Sequence, residues 1–156
     1  SAAASPRMAG FVMGTSDLAK ELHCLHTPQR LPFMTSLNHV ILVARAYGLA
    51  ALDGVHLDLS DDEGFTQNCR QGLELGFDGK TLIHPKTIDQ ANETFGPSDQ
   101  EVEYSRQIIA AFEEAQSEGK GVVVLDGKLV ENLHVENARR ILTLAQMIKD
   151  LSTEME

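Results

Sequence analysis

The 156-residue sequence predicts an α/β fold in which short buried strands alternate with helices. Three apolar runs each end at a glycine, an acidic residue or a proline, which is typical of strands buried on both faces. Each run is followed by a stretch with apolar residues at helical spacing. Strands that alternate with helices pair in parallel through right-handed crossovers. The order therefore favours either a small open sheet or the last part of a larger barrel.

The first strand is predicted in the run AGFVMG (9–14), and the first helix in SDLAKELHCL, with Ser16 or Asp17 as its N-cap. Asp17 stands directly after the strand. An acidic residue at this place can cap the helix, or it can hold a ligand such as a metal ion at the mouth of a site. Both interpretations remain open from the residues alone.

The second strand and the helix before it follow an irregular, proline-containing loop. Apolar residues recur at helical spacing through MTSLNHVILVARAYGL and predict a helix that ends at Gly48. The segment AALDGVHLDL (50–59) alternates in part and predicts a strand, with Asp53 and Asp58 near its ends.

The third unit begins with a helix in SDDEGFTQNCRQGLELGF. Its start is predicted at Ser60, Asp61 or Asp62 and its end at Gly76; acidic residues in the first turn are favoured by the helix dipole. The segment GKTLIHP (79–85) predicts a short strand that is stopped by proline.

The remaining chain is predicted to be mainly helical. A helix in KTIDQANETFG is followed by a longer one that begins with a capping signal at 97–99. The segment VVVLDGKLV predicts a hairpin that turns at Asp126 and Gly127. The stretch ENLHVENARRILTLAQMIKDLS predicts the final amphipathic helix.

Composition excludes some classes of partner and predicts the compartment. The net charge of −10 argues against nucleic acid or an anionic membrane as the main partner, because like charges repel. Cys24 and Cys69 are expected to be reduced thiols in a cytoplasmic protein. The low-complexity start, Ser1–Ser5, does not have the pattern of a signal peptide. The chain begins without methionine, and we expect further sequence upstream of it.

Four blocks carry a resemblance to a known family: FVMGTSDLAKEL, ARAYGLAALDGVHLDLSDDEGF, GFDGKTLIHPKTI and GKGVVVLDGKLVEN. In this order and spacing they resemble the C-terminal half of the citrate lyase beta-subunit family, within the HpcH/HpaI aldolase superfamily. That family includes citryl-CoA, malyl-CoA and citramalyl-CoA lyases and malyl-CoA thioesterases. The resemblance implies a (β/α)8 TIM barrel, of which residues 1–96 supply strands six to eight. It also implies that residues 97–156 form a helical segment packing on a neighbouring subunit of a trimer or hexamer.

The resemblance also implies roles for four residues. Asp17 matches a ligand of Mg²⁺, whose second protein ligand, a glutamate, would lie upstream of this chain. Ile83 and His84 match a segment that contacts the CoA thioester substrate; the alternative for His84 is a strand-terminal residue hydrogen-bonded to a loop. Glu131 falls where the lyases carry an aspartate that acts as general acid/base, and its alternative role is to cap the last helix.

Other charged residues are expected to have supporting roles. Asp53 and Asp58 match a recurrent family pattern and are expected to make structural hydrogen bonds across the rim of the barrel. The histidines at 23, 26 and 39 do not have a metal-binding spacing. Five basic residues are candidates for binding CoA phosphates: Lys20, Arg30, Arg45, Lys80 and Lys86.

The resemblance leads to one main hypothesis and two alternatives. The main hypothesis is a Mg²⁺-dependent CoA-ester lyase that cleaves or forms a C–C bond in a malyl-CoA-, citramalyl-CoA- or citryl-CoA-like substrate. This chain would be a fragment of that enzyme, inactive alone. One alternative keeps the family and changes the reaction to hydrolysis of the malyl-CoA thioester. The other is a non-catalytic fragment that works only with a partner chain.

Overall fold

The structure is a computed structural model that describes residues 5–154, so that most of the low-complexity start lies outside the described residues. The chain forms two compact units, Ser1–Phe95 and Gly96–Glu156. Among the described residues, no helix has the combination of length and apolar character that crossing a membrane requires.

The first unit is built on a parallel sheet of three described strands: β1 (Gly10–Val12), β2 (Ala50–Asp53) and β3 (Gly79–Lys80). The strand order is β1-β2-β3, with Gly10 opposite Ala50 and Leu52 opposite Gly79. Helices connect successive strands, which is the parallel α/β arrangement that the sequence predicts.

Two strands are shorter than predicted. The strand expected over 50–59 ends at Asp53, and the one expected over 79–85 ends at Lys80. The ladder between the two strands closes with Asp53 opposite Lys80. Among the described residues, no further strand pairing follows this point, and both segments continue as loops.

Six described helical segments, four α-helices and two 3-10 turns, accompany the sheet in the first unit. The α-helices are α1 (Thr15–Leu22), α2 (Met34–Ala46), α3 (Asp62–Leu75) and α4 (Ile88–Phe95), and short 3-10 turns at Leu31–Phe33 and Pro85–Thr87 precede α2 and α4. The last turn includes the proline that was expected to stop the third strand.

Both ends of α3 agree with the prediction from the sequence, whereas the start of α1 and the end of α2 differ from it. The Asp61 side chain accepts a hydrogen bond from the Gly64 backbone N–H (2.8 Å), and Gly76 ends α3 in the left-handed conformation (φ 99°). The N-cap of α1 is Gly14, without a side-chain cap, so the prediction of Ser16 or Asp17 as N-cap is wrong. Because β1 ends at Val12 and the helix begins within three residues, Ser16 and Asp17 already lie in the first turn. α2 ends at Ala46, two residues before Gly48.

The core of the first unit lies between the sheet and α2. Phe33, Leu37 and Ala44 are fully buried there, together with Ala51 of β2. A smaller cluster, Phe65, Cys69 and Ala91, joins α3 to α4. Burying these apolar side chains is the main source of stability for the unit.

The second unit joins two long helices through a hairpin. It contains α5 (Asp99–Ser117), β4 (Val123–Leu125), β5 (Lys128–Val130) and α6 (Asn132–Glu154). The predicted capping signal is confirmed, because Ser98 and Glu101 form a capping box at the start of α5. The predicted turn is confirmed as well: Asp126 and Gly127 both have positive φ, as a tight hairpin turn requires. Phe112, Val130 and Val135 form the core of this unit.

Candidate functional site

The loops that leave the carboxyl ends of β1, β2 and β3 carry most of the candidate residues. Asp17 lies in the first turn of α1, just after β1, and its side chain is exposed. Ile83 and His84 follow β3 on the same edge of the sheet and are also exposed. Asp17 is separated from Ile83 and His84 by β2. Because neighbouring strands lie about 5 Å apart, β1 and β3 are about 10 Å apart. Ligands of parallel α/β proteins bind at this edge.

His84 is fixed by hydrogen bonds to the loop that follows it. Its Nδ1 accepts a hydrogen bond from the Lys86 backbone N–H (3.1 Å), and its carbonyl accepts one from Thr87 Oγ1 (2.8 Å). The hydrogen bonding that was expected as the alternative role of His84 is therefore present. Since Nδ1 is an acceptor, the proton of the neutral ring lies on Nε2.

A small depression that is open to solvent lies between the loops that follow β2 and β3; we refer to it as the groove. Its walls are apolar at Leu59, Leu82 and Ile83, and polar at His56 and Lys86. Lys86 Nζ binds Asp62 Oδ1 at 2.8 Å. Apolar walls with a few polar groups are the ordinary lining of a small-molecule site.

A cluster of buried charges lies below this edge of the sheet, formed by Arg30, Asp53 and Lys80. Arg30 Nη1 is 2.7 Å from both carboxylate oxygens of Asp53, and Lys80 Nζ is 3.2 Å from Asp53 Oδ2. Lys80 also donates to the Gly54 carbonyl (2.5 Å) and to Asn68 Oδ1. The three charged side chains are at most 2% exposed.

Two neighbouring groups complete the surroundings of this cluster. Arg30 Nε donates to Gln71 Oε1 at 2.7 Å. Gly72 of α3 lets the helix approach closely, because a Cβ atom there would come within 2.8 Å of Asp53 Oδ2. The helix α3 thus fixes the cluster from one side.

Burial shifts the pKa values of three groups in or near the cluster: Lys80, His26 and Cys69. Burial, and secondarily the charge of Arg30, lowers the pKa of Lys80, while the Asp53 carboxylate opposes this shift. Burial also lowers the pKa of His26, with added repulsion from Arg30, His56 and Lys80. Burial raises the pKa of the Cys69 thiol. The cluster thus consists of two cations, Arg30 and Lys80, and one carboxylate, Asp53, all shielded from solvent.

The structure overturns part of the expectation about CoA phosphates. Arg30 and Lys80 are buried and paired with Asp53, so they do not offer free charges to a phosphate. Arg45 binds both carboxylate oxygens of Asp78, a residue that precedes β3 and therefore lies at the opposite edge of the sheet. The sequence alone does not show which basic side chains are buried and paired with an acidic side chain.

Both aspartates make hydrogen bonds of a structural kind, but only those of Asp53 reach another strand, whereas those of Asp58 stay within its own loop. Asp53 joins β2 to Arg30 and Lys80, as described above. Asp58 accepts hydrogen bonds from the Ser60 hydroxyl (2.6 Å) and backbone N–H (2.9 Å). These bonds lower the pKa of Asp58 and hold the loop in a turn.

Glu131 lies in the other unit, between β5 and α6, where its neighbours are well anchored. Its backbone N–H donates to His134 Nδ1 (3.0 Å), and its carbonyl accepts from the His134 and Val135 backbone N–H groups. Val130 and Val135, on either side, are 2% exposed. The groups of Glu131 that take part in these hydrogen bonds are its backbone N–H and carbonyl, not its side chain. Its backbone thus leads into α6, and its carboxylate makes no hydrogen bond to any residue that the structure describes.

Residues 5–154 do not bring together enough ligands for a magnesium centre. Mg²⁺ prefers several oxygen ligands, and Asp17 offers a carboxylate of the right type. Yet in the part of the chain that the structure describes, no group of three or more potential metal-ligating side chains comes together. Asp17 therefore provides the right type of ligand for Mg²⁺, but the described residues provide too few ligands.

Comparisons with known proteins agree with the resemblance seen in the sequence. Residues 1–85 match the model of the HpcH/HpaI aldolase/citrate lyase family. The chain belongs to this family.

Curated relatives within the family have different reactions. The (3S)-malyl-CoA thioesterase of Cereibacter sphaeroides (strain ATCC 17025) is 51% identical over 146 residues, covering 94% of this chain and 51% of the relative. The L-malyl-CoA/beta-methylmalyl-CoA lyase of the same strain is 35% identical over 164 residues, covering 94% and 52%. The chain thus spans about half the length of these relatives.

A solved structure of the family matches the fold. The CitE protein of Mycobacterium tuberculosis, in complex with magnesium, acetoacetate and coenzyme A, is similar with a TM-score of 0.74 and 29% identity. The match covers 93% of this chain and 54% of that protein.

Sequence reasoning did not identify the buried cluster of this HpcH/HpaI family member as a unit. Arg30 lies in a loop, Asp53 ends a strand and Lys80 ends another, so no local spacing connects them. The only signal was that Asp53 and Lys80 lie in neighbouring predicted strands.

Proposed function

We propose that the whole protein hydrolyses the thioester of a malyl-CoA-like substrate. The observation that supports this reaction best is the 51% identity to a (3S)-malyl-CoA thioesterase, against 35% to a malyl-CoA lyase. Glu131 also supports it, since it replaces the aspartate of the lyases with a longer side chain. The extra methylene moves the carboxylate by about 1.5 Å, which changes the atom within hydrogen-bond reach.

In this proposal Glu131 is the general base. Its carboxylate takes a proton from a water molecule whose oxygen attacks the carbonyl carbon of the thioester. The C–S bond then breaks, and the CoA thiolate leaves and takes up a proton. The anchored backbone of Glu131 supports this role, and among the described residues no competing hydrogen bond occupies its carboxylate.

The substrate-binding side of the proposal rests on the carboxyl edge of the sheet. Ile83 would pack against the CoA portion, because it lines the groove described above, and the exposed His84 would lie beside it in the chain. Asp17 would supply one oxygen ligand to a Mg²⁺ ion, with further ligands from residues outside this chain. The CitE relative, whose structure holds magnesium and coenzyme A, supports both assignments.

The assembly that we propose follows from the family. Residues 1–96 would provide strands six to eight of a (β/α)8 TIM barrel, and residues 97–156 would pack on a neighbouring subunit and bring Glu131 to its active site. The protein would be a cytoplasmic trimer or hexamer, and this chain alone would be inactive.

A second candidate reaction is C–C cleavage, as in the lyases. The observation that favours it is the 35% identity to an L-malyl-CoA/beta-methylmalyl-CoA lyase across nearly the whole chain. Cleavage of malyl-CoA would give glyoxylate and the enolate of acetyl-CoA, and Glu131 would then return a proton to that enolate.

Product analysis separates these reactions. The whole protein is incubated with malyl-CoA and Mg²⁺, and the products are quantified by chromatography. Malate with free CoA is expected; glyoxylate with acetyl-CoA would overturn hydrolysis in favour of the lyase. If a folded protein that binds Mg²⁺ forms neither pair, the non-catalytic alternative is correct.

A further inference from the structure

We propose that His134 is a positioning residue for Glu131: its imidazole fixes the backbone from which the Glu131 carboxylate extends towards the substrate. This inference rests on the proposed function of Glu131 as a general base. It holds equally if that carboxylate returns a proton in C–C cleavage. It gives a role to a histidine for which the sequence patterns predicted none.

His134 holds Glu131 at two points. The Glu131 backbone N–H donates to His134 Nδ1 at 3.0 Å, and the His134 backbone N–H donates to the Glu131 carbonyl at 3.0 Å. The peptide groups before and after the Glu131 Cα atom are planar units, and one residue fixes both of them. Since the side chain leaves from this Cα atom, the direction in which it starts is fixed as well.

The other long helix of the same unit shows how such a helix start is ordinarily built. Ser98 precedes α5 as Glu131 precedes α6, and Glu101 is the third residue of its helix as His134 is. Glu101 Oε2 accepts from the Ser98 backbone N–H (2.8 Å) and hydroxyl (2.7 Å), and the Ser98 hydroxyl oxygen accepts from the Glu101 N–H (3.2 Å). Both side chains of this capping box are thus occupied by hydrogen bonds to each other or to the backbone.

The start of α6 differs from this pattern in one respect. His134 accepts from the backbone N–H of the preceding residue, as Glu101 does in α5, but the Glu131 side chain makes no hydrogen bond to any described residue. Helix-capping side chains are short and polar, such as serine or aspartate, and glutamate is not among the preferred ones. Departures from such local preferences are frequent at functional sites. The hydrogen bond from His134 secures the helix start and leaves the Glu131 carboxylate available for the reaction.

The segment 131–134 is also anchored on both sides. Val130 and Val135 are each 2% exposed and form a core cluster with Phe112 of α5. His134 itself is partly buried. Because the flanking residues are held in the core, the hydrogen bond of the imidazole acts on a backbone that has little freedom to move.

Two substitutions of His134 separate the hydrogen bond from the ring that makes it. Nδ1 is the acceptor, so the proton of the neutral ring lies on Nε2. Glutamine offers a side-chain oxygen as acceptor and is a regular third residue of capping boxes. Leucine is of similar size and offers no acceptor. His134→Gln can therefore keep the bond to the Glu131 N–H, and His134→Leu removes it.

The test is steady-state kinetics of the whole protein with malyl-CoA and Mg²⁺. For His134→Leu we expect kcat to fall at least about tenfold and KM to change by less than about threefold, because misplacing a general base slows the reaction more than it weakens binding. His134→Gln should retain a kcat within about threefold of wild type. The matched control is Glu101→Leu, which removes the corresponding acceptor at the start of α5 and should keep the wild-type kcat.

Two further measurements distinguish positioning from a purely structural role. His134→Leu and Glu101→Leu should lower the midpoint of urea unfolding to a similar extent, since each loses an acceptor at a helix start. A purely structural role would make the kcat values of these two variants alike as well. Amide hydrogen exchange at Glu131, measured by mass spectrometry, should be slow in wild type and in His134→Gln and faster in His134→Leu.

Three results would overturn the proposal: a wild-type kcat in folded His134→Leu, a kcat in His134→Gln as low as in His134→Leu, or an equal loss of kcat in Glu101→Leu. If His134→Leu does not fold, His134→Gln decides. A kcat within about threefold of wild type then supports the proposal, and a larger loss overturns it.

Failure of the proposed function gives a different result. A wild-type kcat in Glu131→Gln would overturn the role of Glu131 in the reaction, and the positioning role of His134 with it. An inactive Glu131→Gln beside a fully active His134→Leu would overturn the positioning role alone.

Discussion

Arg30 Nη1 lies 2.7 Å from each carboxylate oxygen of Asp53, and neither side chain is more than 2% exposed. Lys80 approaches the same carboxylate from β3. Asp53 is therefore the single negative charge that holds two buried cations, and the stability of the first unit depends on it.

Replacing Asp53 by asparagine should be strongly destabilising, because it leaves both cations without a counter-charge. We expect a loss of about 3–5 kcal/mol in the free energy of unfolding, measured by urea titration. The matched control is Asp62→Asn, whose partner is Lys86 on the surface; it should cost no more than about 1 kcal/mol. A similar cost for both variants would show that the buried cluster does not stabilise the fold.

Lys80 should make stability rise with pH in the alkaline range. Burial holds the pKa of Lys80 below its ordinary 10.5 in the folded state, with a further contribution from Arg30. As the pH rises towards 10.5, the folded state loses this proton before the unfolded state does, so unfolding becomes less favourable. Wild type should therefore gain stability relative to Lys80→Met over this window, in denaturation measured at successive pH values. Parallel pH profiles would contradict the expected shift.

Glu131→Gln should remove activity without affecting the fold. The loss of a general acid or base lowers kcat by about 10²–10⁴-fold, whereas the free energy of unfolding should change by less than about 0.5 kcal/mol. Steady-state kinetics and urea titration measure the two quantities. The control is Glu136→Gln in the first turns of α6, whose carboxylate accepts a hydrogen bond from Asn132 Nδ2 at 2.7 Å and should not be required for turnover. Wild-type kcat in Glu131→Gln would exclude the proposed role.

Asp17→Asn should abolish the response of the whole protein to Mg²⁺. We expect the wild-type Tm to rise with Mg²⁺, because a ligand that binds only the folded state stabilises it. The variant should unfold at the wild-type temperature in EDTA and should not respond to the metal. Asp89→Asn changes another first-turn acid and should keep the response. A metal-dependent Tm rise in Asp17→Asn would remove Asp17 from the site.

Ile83→Ser should weaken the binding of CoA. The residue is 53% exposed at the groove, and burial of this exposed half by a ligand contributes about 0.8–1.6 kcal/mol, so the Kd should rise about four- to fifteen-fold. Calorimetry with free CoA measures this without turnover. Leu42→Ser, an exposed leucine on α2, is the control and should bind CoA like wild type.

The sequence predicted the order of the elements and several of their ends. The turn at Asp126 and Gly127 and the capping box at Ser98 depend on residues that are adjacent or three apart, so their signals are local. The alternation of strands and helices likewise predicted the parallel sheet.

Features that depend on distant partners were missed or misplaced. The ends of β2 and β3 are set by the pairing between them, which the pattern within each segment does not contain. The start of α1 at Thr15 depends on where β1 stops. The charge cluster brings together residues up to 50 positions apart in the sequence, Arg30 and Lys80, through the packing of the strands between them.

The three-stranded sheet has a practical consequence for work with this chain by itself. In the part that the structure describes, β1 and β3 each have one side that pairs with no strand, and Val12 on β1 is 60% exposed. Unpaired strand sides bind other strands readily and cause aggregation. A preparation of these 156 residues should therefore be most soluble when co-expressed with a segment that offers parallel strands, as in fragment complementation.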